Sequence, residues 1–196
     1  SDLDKFSNYL NTQKIDSIFE VGCHIGDLLN YCVKKFDASR GYGIEPSLKA
    51  VQEGKNRFSD TCDIKHGVIG DQLSLEKIPK CDLIIVNDVF CWISRESILE
   101  SISNIDKHLN FSGHLIIRDF FPSKNIRNQN KHVDNQEVFC HKVIGSHAKI
   151  FEQTGNYQIL HSNVFSDANL ELTTTKEFSL SENRWIDIIL RKTWES

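Results

Sequence analysis

Short apolar runs alternate with amphipathic segments along the chain, and this alternation predicts an α/β fold. The runs at residues 15–21, 81–86 and 114–120 are typical of strands that are buried on both faces of a parallel sheet. Apolar residues at helical spacing between these runs predict helices over about 26–36 and 94–109. The residues expected to pack inward are Leu28, Leu29, Tyr31 and Cys32 in the first helix and Ile98, Leu99, Ile102, Ile105 and Leu109 in the second. A length of 196 residues suits one domain with one substantial core.

The rest of the chain completes this pattern. Residues 40–45 and 62–69 predict two more strands, and residues 2–13 predict a short amphipathic helix at the start. Polar residues dominate from Phe121 to Lys142, where a long insertion is expected to be functional or disordered. A helix over residues 143–154 and two alternating strands over 157–165 and 183–192 follow, and we expect these strands at an antiparallel edge.

Composition narrows the possible functions. A net charge of −4 and a pI near 6.0 argue against a general nucleic-acid or anionic-membrane surface. We expect neither a membrane span nor a signal peptide, because the sequence has no sufficiently long apolar run and no basic start with an apolar core. The six cysteines are scattered singly without a Cys-x-x-Cys pair, which favours a reducing, cytoplasmic location.

Two features predict a nucleoside cofactor. Gly22 and Gly26 follow the first strand, and glycine permits both a sharp reversal and close approach of the backbone to a ligand. Glu45 ends the second strand about twenty residues later, where a carboxylate can accept ribose hydroxyls. A carboxylate that stabilises the next helix N-terminus is the alternative for Glu45, and NAD enzymes share both features.

These motifs resemble those of the class I S-adenosylmethionine-dependent methyltransferases. In that family an acidic residue precedes Gly-x-Gly-x-Gly; Glu20, Gly22 and Gly26 match, whereas His24 replaces the middle glycine. The run Cys81-Asp-Leu-Ile resembles the family's fourth-strand signature. The turn before Leu115-Ile-Ile resembles its fifth-strand element, with Ser112 in place of a glycine. Five such elements follow in order over residues 15–121.

The resemblance implies a Rossmann-like, seven-stranded, mostly parallel sheet with helices on both faces and a lid insertion after strand five. It implies one methyltransferase domain over residues 1–196, with an N-terminal helix in 1–14 and a substrate lid in 121–142. S-adenosylmethionine would be the cofactor and S-adenosylhomocysteine the product. The implied cofactor-binding residues are Glu20, Gly22, Cys23, His24, Gly26, Glu45, Pro46, Val68, Ile69, Asp71 and Asn87. A capping or loop role is the alternative for Asp71.

Candidates for the chemistry lie at the carboxyl ends of the strands and in the lid. His132 is the first candidate base, because imidazole titrates near neutral pH, and Asp88 is the second. The run Asp119-Phe-Phe-Pro, a later histidine and Phe139-x-x-Lys142 resemble a branch of small methyltransferases from surface-polysaccharide and natural-product gene clusters. That resemblance implies substrate roles for His132 and Lys142, and Asp119 is a further candidate for the substrate site. A solvated loop histidine and a surface lysine are the alternatives.

Metal chemistry is not expected. Asp88 and Asp119 would suit a divalent cation as in the catechol-type branch, but Phe120 occupies the place of the asparagine that follows there. Cys140, His141 and His147 lack a fourth ligand at zinc spacing.

The expected activity is O-methylation of a small polar acceptor such as a sugar or nucleotide-linked sugar. Amino-directed nucleic-acid methyltransferases carry two prolines after strand four, which are absent from Asn87-Asp-Val-Phe90, so nucleic acid is not an expected partner. His24 in the glycine turn motivates one alternative, a non-catalytic binding or regulatory module. An NAD-binding oxidoreductase is another alternative, which the Cys81-Asp-Leu-Ile element disfavours. The oligomeric state is left open.

Overall fold

A computed structural model describes residues 7–10, 14–122, 124–129, 139–142, 147–166 and 184–194. Within them the chain forms one seven-stranded sheet and one two-stranded sheet. The strands of the large sheet are β1 Ser17–Val21, β2 Arg40–Glu45, β3 Cys62–His66, β4 Cys81–Asn87, β5 Leu109–Phe120, β8 Tyr157–Ser166 and β9 Arg184–Lys192. The small sheet pairs β6 Ile126–Gln129 with β7 Phe139–Lys142.

Helices connect the strands and cover both faces of the large sheet. Their bounds are α1 Ser7–Leu10, α2 Asp27–Phe36, α3 Leu48–Phe58, α4 Gln72–Leu75, α5 Ile98–His108 and α6 Ala148–Gln153, with a 3₁₀ helix at Phe90–Trp92. On one face of the large sheet, the side chains of α5 and α6 pack with Phe19 and Ile84 in one hydrophobic core. On the opposite face, α2 and α3 pack with Ile18 and Leu83 in a second core. Adjacent strand residues therefore point into different cores, which explains the continuous apolar runs.

The strand order is β3-β2-β1-β4-β5-β9-β8. Strands β1 to β5 are parallel, whereas β9 pairs antiparallel with both β5 and β8. In the sheet, β2 lies on one side of β1, and β4 lies on the other side of β1. The order thus reverses between β1 and β4, and ligands of open α/β sheets bind at the carboxyl edge beside such a point. The predicted fold class is confirmed.

Several predicted boundaries and burials were wrong. β3 ends at His66 instead of residue 69, because a turn takes over at Val68. α5 begins at Ile98, after a turn closed by a hydrogen bond from Ser97 N to Ser94 O. Leu99 is 67% exposed and Tyr31 is 38% exposed, although both were expected to pack inward. The expected antiparallel edge is confirmed, since β9 and β8 are the last two strands on one side of the sheet, with β9 between β5 and β8.

The predicted turn before the fifth strand is a bulge within β5. Leu109 pairs with Cys81, and the register resumes with His114 opposite Leu83, so residues 110–113 form the irregular part. Ser112 has φ 61°, a left-handed conformation that glycine adopts without strain. The residue that replaces the family's glycine therefore keeps the glycine-like backbone.

The segment predicted as a lid is described in part. β6 and β7 form an antiparallel pair within it, and β7 lies against the 3₁₀ helix that follows β4. The predicted helices over 2–13 and 143–154 are described only at α1 and α6. Among the described helices, none is long and apolar enough to cross a membrane. Cytoplasmic location stays a prediction.

Candidate active site at the carboxyl edge of the sheet

The glycine turn between β1 and α2 is built from left-handed residues. Gly22, His24 and Gly26 have φ values of 69°, 50° and 88°. Backbone N–H groups of Gly22 and Cys23 both donate to the Ile44 carbonyl, at 2.9 and 3.1 Å, which ties the turn to the end of β2. His24 thus has a left-handed backbone, which glycine adopts without strain, and its side chain is exposed. The turn therefore has room for a side chain at this position.

Glu45 joins this turn to the start of α3. Its Oε2 accepts a hydrogen bond of 2.9 Å from the His24 N–H, and its Oε1 accepts one of 2.9 Å from the Ser47 N–H. The carboxylate therefore lies at the start of α3, as the helix N-terminus alternative requires, and its ribose-binding role stays a prediction. Each carboxylate oxygen retains a further lone-pair site for a ligand hydroxyl.

Glu20 is the most deeply buried acidic residue of the turn. Glu20 is a residue of β1 and is 3% exposed, and its Oε2 has no hydrogen-bond partner among the described residues. Burial raises the pKa of Glu20 well above its ordinary value, and the charge of Glu45 adds to this effect. A hydrogen bond from the Leu29 backbone opposes it. Cys23 is also buried, and burial raises the pKa of its thiol.

The remaining residues of the predicted cofactor site follow β2 and β3 in the chain. Pro46 is exposed, and its carbonyl lies 3.0 Å from the His66 Nε2. Val68 is 49% exposed, whereas the side chain of Ile69 is buried. Asp71 caps α4 by accepting from the Leu73 N–H at 3.1 Å, which confirms the capping alternative. Its cofactor role stays a prediction.

Helix α3 presses directly on the glycine turn. A methyl group added at Gly54 would lie 2.6 Å from the Ile25 carbonyl oxygen and 2.7 Å from the Ile64 Cδ1. The turn is thus held from two sides, by the Glu45 carboxylate and by the glycine surface of α3. Such a fixed backbone can present its N–H groups to a ligand without rearrangement.

The ends of β4 and β5 bring several acidic and thiol groups together. Asn87 is exposed at the end of β4. Asp88 follows with φ 62°, and its N–H donates to the Arg118 carbonyl of β5 at 2.8 Å. One carboxylate oxygen of Asp88, one of Asp119 and the Sγ of Cys91 all lie within 4.8 Å of one another. The two acidic candidates are therefore neighbours, although they are 31 positions apart in the chain.

Asp119 is a buried acid at the end of β5. The residue is 2% exposed, and its Oδ1 accepts a hydrogen bond of 2.7 Å from the Phe120 N–H. Burial raises the pKa of Asp119 to about 7; the Asp88 charge also raises it, while hydrogen bonds from Phe120 and Cys91 lower it. Asp119 can therefore exchange a proton near neutral pH.

Sequence reasoning missed the partner of Asp119. His147, just before α6, places Nδ1 4.0 Å from the Asp119 Oδ2, and its ring lies 5.6 Å from that of Phe90. The two residues are 28 positions apart, and the segment between them has no periodic pattern that would fix their separation. His147 entered only as a member of an incomplete zinc set.

Two predicted residues cannot be placed in the site. His132 lies outside the described residues. Lys142 ends β7 and pairs with Ile126 in register, but its side chain is not described. Their roles stay predictions, as does the expectation that the site uses no metal.

The residues at the turn fit S-adenosylmethionine. The orphaned Oε2 of Glu20 can accept from the cofactor's ammonium group, the Glu45 carboxylate can accept ribose hydroxyls, and the turn backbone can approach closely. When bound, the cofactor supplies an electrophilic methyl group carried on a sulfonium sulfur.

Comparison with known proteins supports this assignment. Residues 19–115 match the family model described as a methyltransferase domain. A search of curated protein sequences gives no match.

Solved structures share the fold across most of the chain. A SAM-dependent methyltransferase from Methanosarcina mazei superposes with TM-score 0.69 at 13% identity, covering 97% of this chain and 98% of that one. One from Clostridium acetobutylicum gives 0.66 at 13% identity, with 98% and 90% covered. The N-methyltransferase NodS from Bradyrhizobium japonicum, crystallised with S-adenosyl-L-homocysteine, gives 0.65 at 16% identity, with 97% and 85% covered.

Proposed function

We infer that this S-adenosylmethionine-dependent methyltransferase methylates a hydroxyl group of a small polar acceptor, such as a sugar or nucleotide-linked sugar. The observation that carries the inference is the acidic pair Asp88 and Asp119 at the carboxyl ends of β4 and β5. A hydroxyl is a weak nucleophile, and a nearby carboxylate that removes its proton assists the transfer.

The electrostatics of the edge support a neutral, hydroxyl-bearing group at the reacting position. Two carboxyl groups within 4.8 Å would repel a phosphate or carboxylate placed between them. Hydroxyls, in contrast, donate hydrogen bonds to carboxylates. Any phosphate of a nucleotide-linked sugar would therefore lie away from this pair.

Asp88 is the base candidate whose position is described. Its residue is half-buried, whereas Asp119 is almost fully buried, so Asp88 is the acid that an acceptor reaches first. Its left-handed backbone is fixed by the hydrogen bond to the Arg118 carbonyl. Aspartate tolerates this conformation better than most residues, and such outliers cluster at functional sites. His132 remains the candidate base from the lid segment.

The resemblance of Asp119-Phe-Phe-Pro and Phe139-x-x-Lys142 to a surface-polysaccharide branch supports a carbohydrate acceptor. In this proposal Asp119 and Lys142 serve the acceptor site, and β7 brings its segment against the 3₁₀ helix beside Asp88.

The test is a transfer assay with S-adenosylmethionine carrying a ¹³C methyl group and a panel of sugars and nucleotide-linked sugars. We expect an O-methyl signal by NMR on at least one acceptor. Asp88→Asn should lower turnover. His132→Ala should also lower turnover if the lid histidine is the base. Both variants should keep their affinity for S-adenosylmethionine. Asp37→Asn is the matched control, because Asp37 also has a left-handed backbone (φ 53°) but caps the far end of α2. Methylation of amines only, or of no sugar in the panel, would contradict the proposal.

A further inference from the structure

The buried acid Asp119, which neighbours Asp88, also lies beside the buried imidazole of His147. The side chains of Asp119 and His147 are 3% and 10% exposed, and 4.0 Å separates Oδ2 from Nδ1. Asp119 Oδ2 has no hydrogen-bond partner among the described residues, although Oδ1 is satisfied by the Phe120 N–H. A carboxylate oxygen this deep in the protein is costly unless it gains a proton or a partner.

The surroundings of this pair favour a retained proton. The titratable groups that face Asp119 are Asp88 after β4, Cys91 in the 3₁₀ helix and His147 before α6. The aromatic ring of Phe90 packs beside the imidazole and adds no charge. Two carboxylates within 4.8 Å of each other do not both ionise readily, because each disfavours the charge of the other, and the burial of Asp119 adds to this effect.

We propose that Asp119 and His147 are positioning residues that share one proton and take over the proton that Asp88 removes from the acceptor. This inference rests on the proposed function. The acceptor O–H bond breaks, and its proton binds an Asp88 carboxylate oxygen. The proton then passes to the Asp119–His147 pair and from there to solvent. The acceptor oxygen, having gained a methyl group and lost the proton, becomes a neutral ether.

The distances suit a relay through water. The 4.0 Å between Asp119 Oδ2 and His147 Nδ1 and the separation of up to 4.8 Å between the Asp88 and Asp119 oxygens are both longer than a hydrogen bond, so one bridging water carries the proton across each gap. His147 and Asp119 come from different elements, so their approach depends on the fold and not on a local turn. A pKa of about 7 for Asp119 supports proton exchange under working conditions. Asp88 would be restored to its charged form after each turnover, ready for the next acceptor.

The pair is tested first by NMR, with no acceptor present. Protein labelled with ¹⁵N-histidine and saturated with S-adenosylhomocysteine is titrated from acid to alkaline pH, and the His147 signal is assigned by its loss in His147→Gln. We expect Asp119→Asn to lower the His147 midpoint by about one pH unit or more, since the imidazolium loses its anionic partner. Asp37→Asn should leave it unchanged. An unchanged midpoint in Asp119→Asn would overturn the shared proton.

A second measurement covers the case in which Asp119→Asn does not fold. The ¹³Cγ signal of Asp119 is then followed in His147→Gln. We expect its midpoint to rise by about one pH unit, because removal of the imidazolium disfavours the carboxylate. A midpoint equal to that of the wild type would overturn the pair.

Kinetics tests the relay itself, on a sugar acceptor found in the transfer assay. In His147→Gln we expect the acidic limb of the kcat profile to move to higher pH, with KM for S-adenosylmethionine unchanged. A purely structural role would leave the limb in place and would overturn the relay. If no sugar is methylated, the proposed function fails and the relay with it, while the NMR titration still decides whether the two residues share a proton.

Discussion

Gly54→Ala tests how tightly α3 holds the glycine turn. In a free helix this change is expected to stabilise by about 1 kcal/mol, because alanine has the higher helix propensity. Here the new methyl group would lie 2.6 Å from the Ile25 carbonyl oxygen and 3.1 Å from its carbonyl carbon. Those atoms are backbone of the turn, and the turn is tied to Glu45 through the His24 N–H. Neither atom can move alone.

Overpacking of this kind costs about 1–3 kcal/mol, which offsets or exceeds the helix-propensity gain of about 1 kcal/mol. We expect Gly54→Ala to lower the free energy of unfolding by up to about 2 kcal/mol and Tm by about 2–4 °C per kcal/mol. Affinity for S-adenosylhomocysteine should fall as well, because the turn is displaced. Urea unfolding and calorimetric titration measure the two effects.

Lys55→Ala is the matched control, since Lys55 is the next, exposed residue of α3. It should change neither property by a measurable amount. A Gly54→Ala protein that is more stable than the wild type and binds S-adenosylhomocysteine equally well would refute the close approach of α3 to the turn.

Three further predictions concern charge and metal. Because the pKa of Glu20 is raised in the folded protein, the cofactor-free protein should lose stability as pH rises above about 4.5. Glu20→Gln should reduce this loss in urea unfolding series between pH 5 and 8. An equal dependence of the unfolding free energy on pH in the two proteins would contradict this prediction. Asp82→Ala should lower the free energy of unfolding by about 2 kcal/mol in the same assay, because Asp82 accepts hydrogen bonds from the N–H groups of Asp16 and Ser17 at 3.0 Å. Asp63→Ala is the control. An equal loss of unfolding free energy in the two variants would contradict the argument. Methyl transfer should survive treatment with EDTA, and a loss that Mg²⁺ restores would show that the expected absence of a metal is wrong.

The central strands could be predicted because burial on both faces leaves a continuous apolar run. β2 was predicted with its observed bounds, and β1 and β4 within two residues. Leu99 and Tyr31 were misassigned because each neighbours apolar residues at helical spacing, and periodicity alone does not say where an apolar face ends. The place of β9 between β5 and β8 depends on pairing between distant segments, which no local pattern encodes.

On the cofactor side, the positions of the glycine turn and of Glu45 were predictable, because they follow β1 and β2 at fixed intervals. The structure adds the hydrogen bond from the His24 N–H that joins them, and their cofactor role stays a prediction. The arrangement of the residues on the acceptor side was less predictable from the sequence. Asp88 and Asp119 follow neighbouring parallel strands and were both named, but their distance depends on the β4–β5 register. His147 reaches Asp119 only through tertiary packing of the segment before α6.

The central claim is that the turn and Glu45 bind S-adenosylmethionine. Calorimetric titration with S-adenosylhomocysteine, with Glu45→Ala as the variant and NADH as competitor, tests it most directly. Glu53→Ala is the matched control, because Glu53 is exposed on α3. We expect micromolar binding that Glu45→Ala weakens about tenfold or more, that Glu53→Ala leaves unchanged and that NADH does not displace. A folded protein that fails to bind S-adenosylhomocysteine, or binds it equally well without the Glu45 carboxylate, would contradict the account.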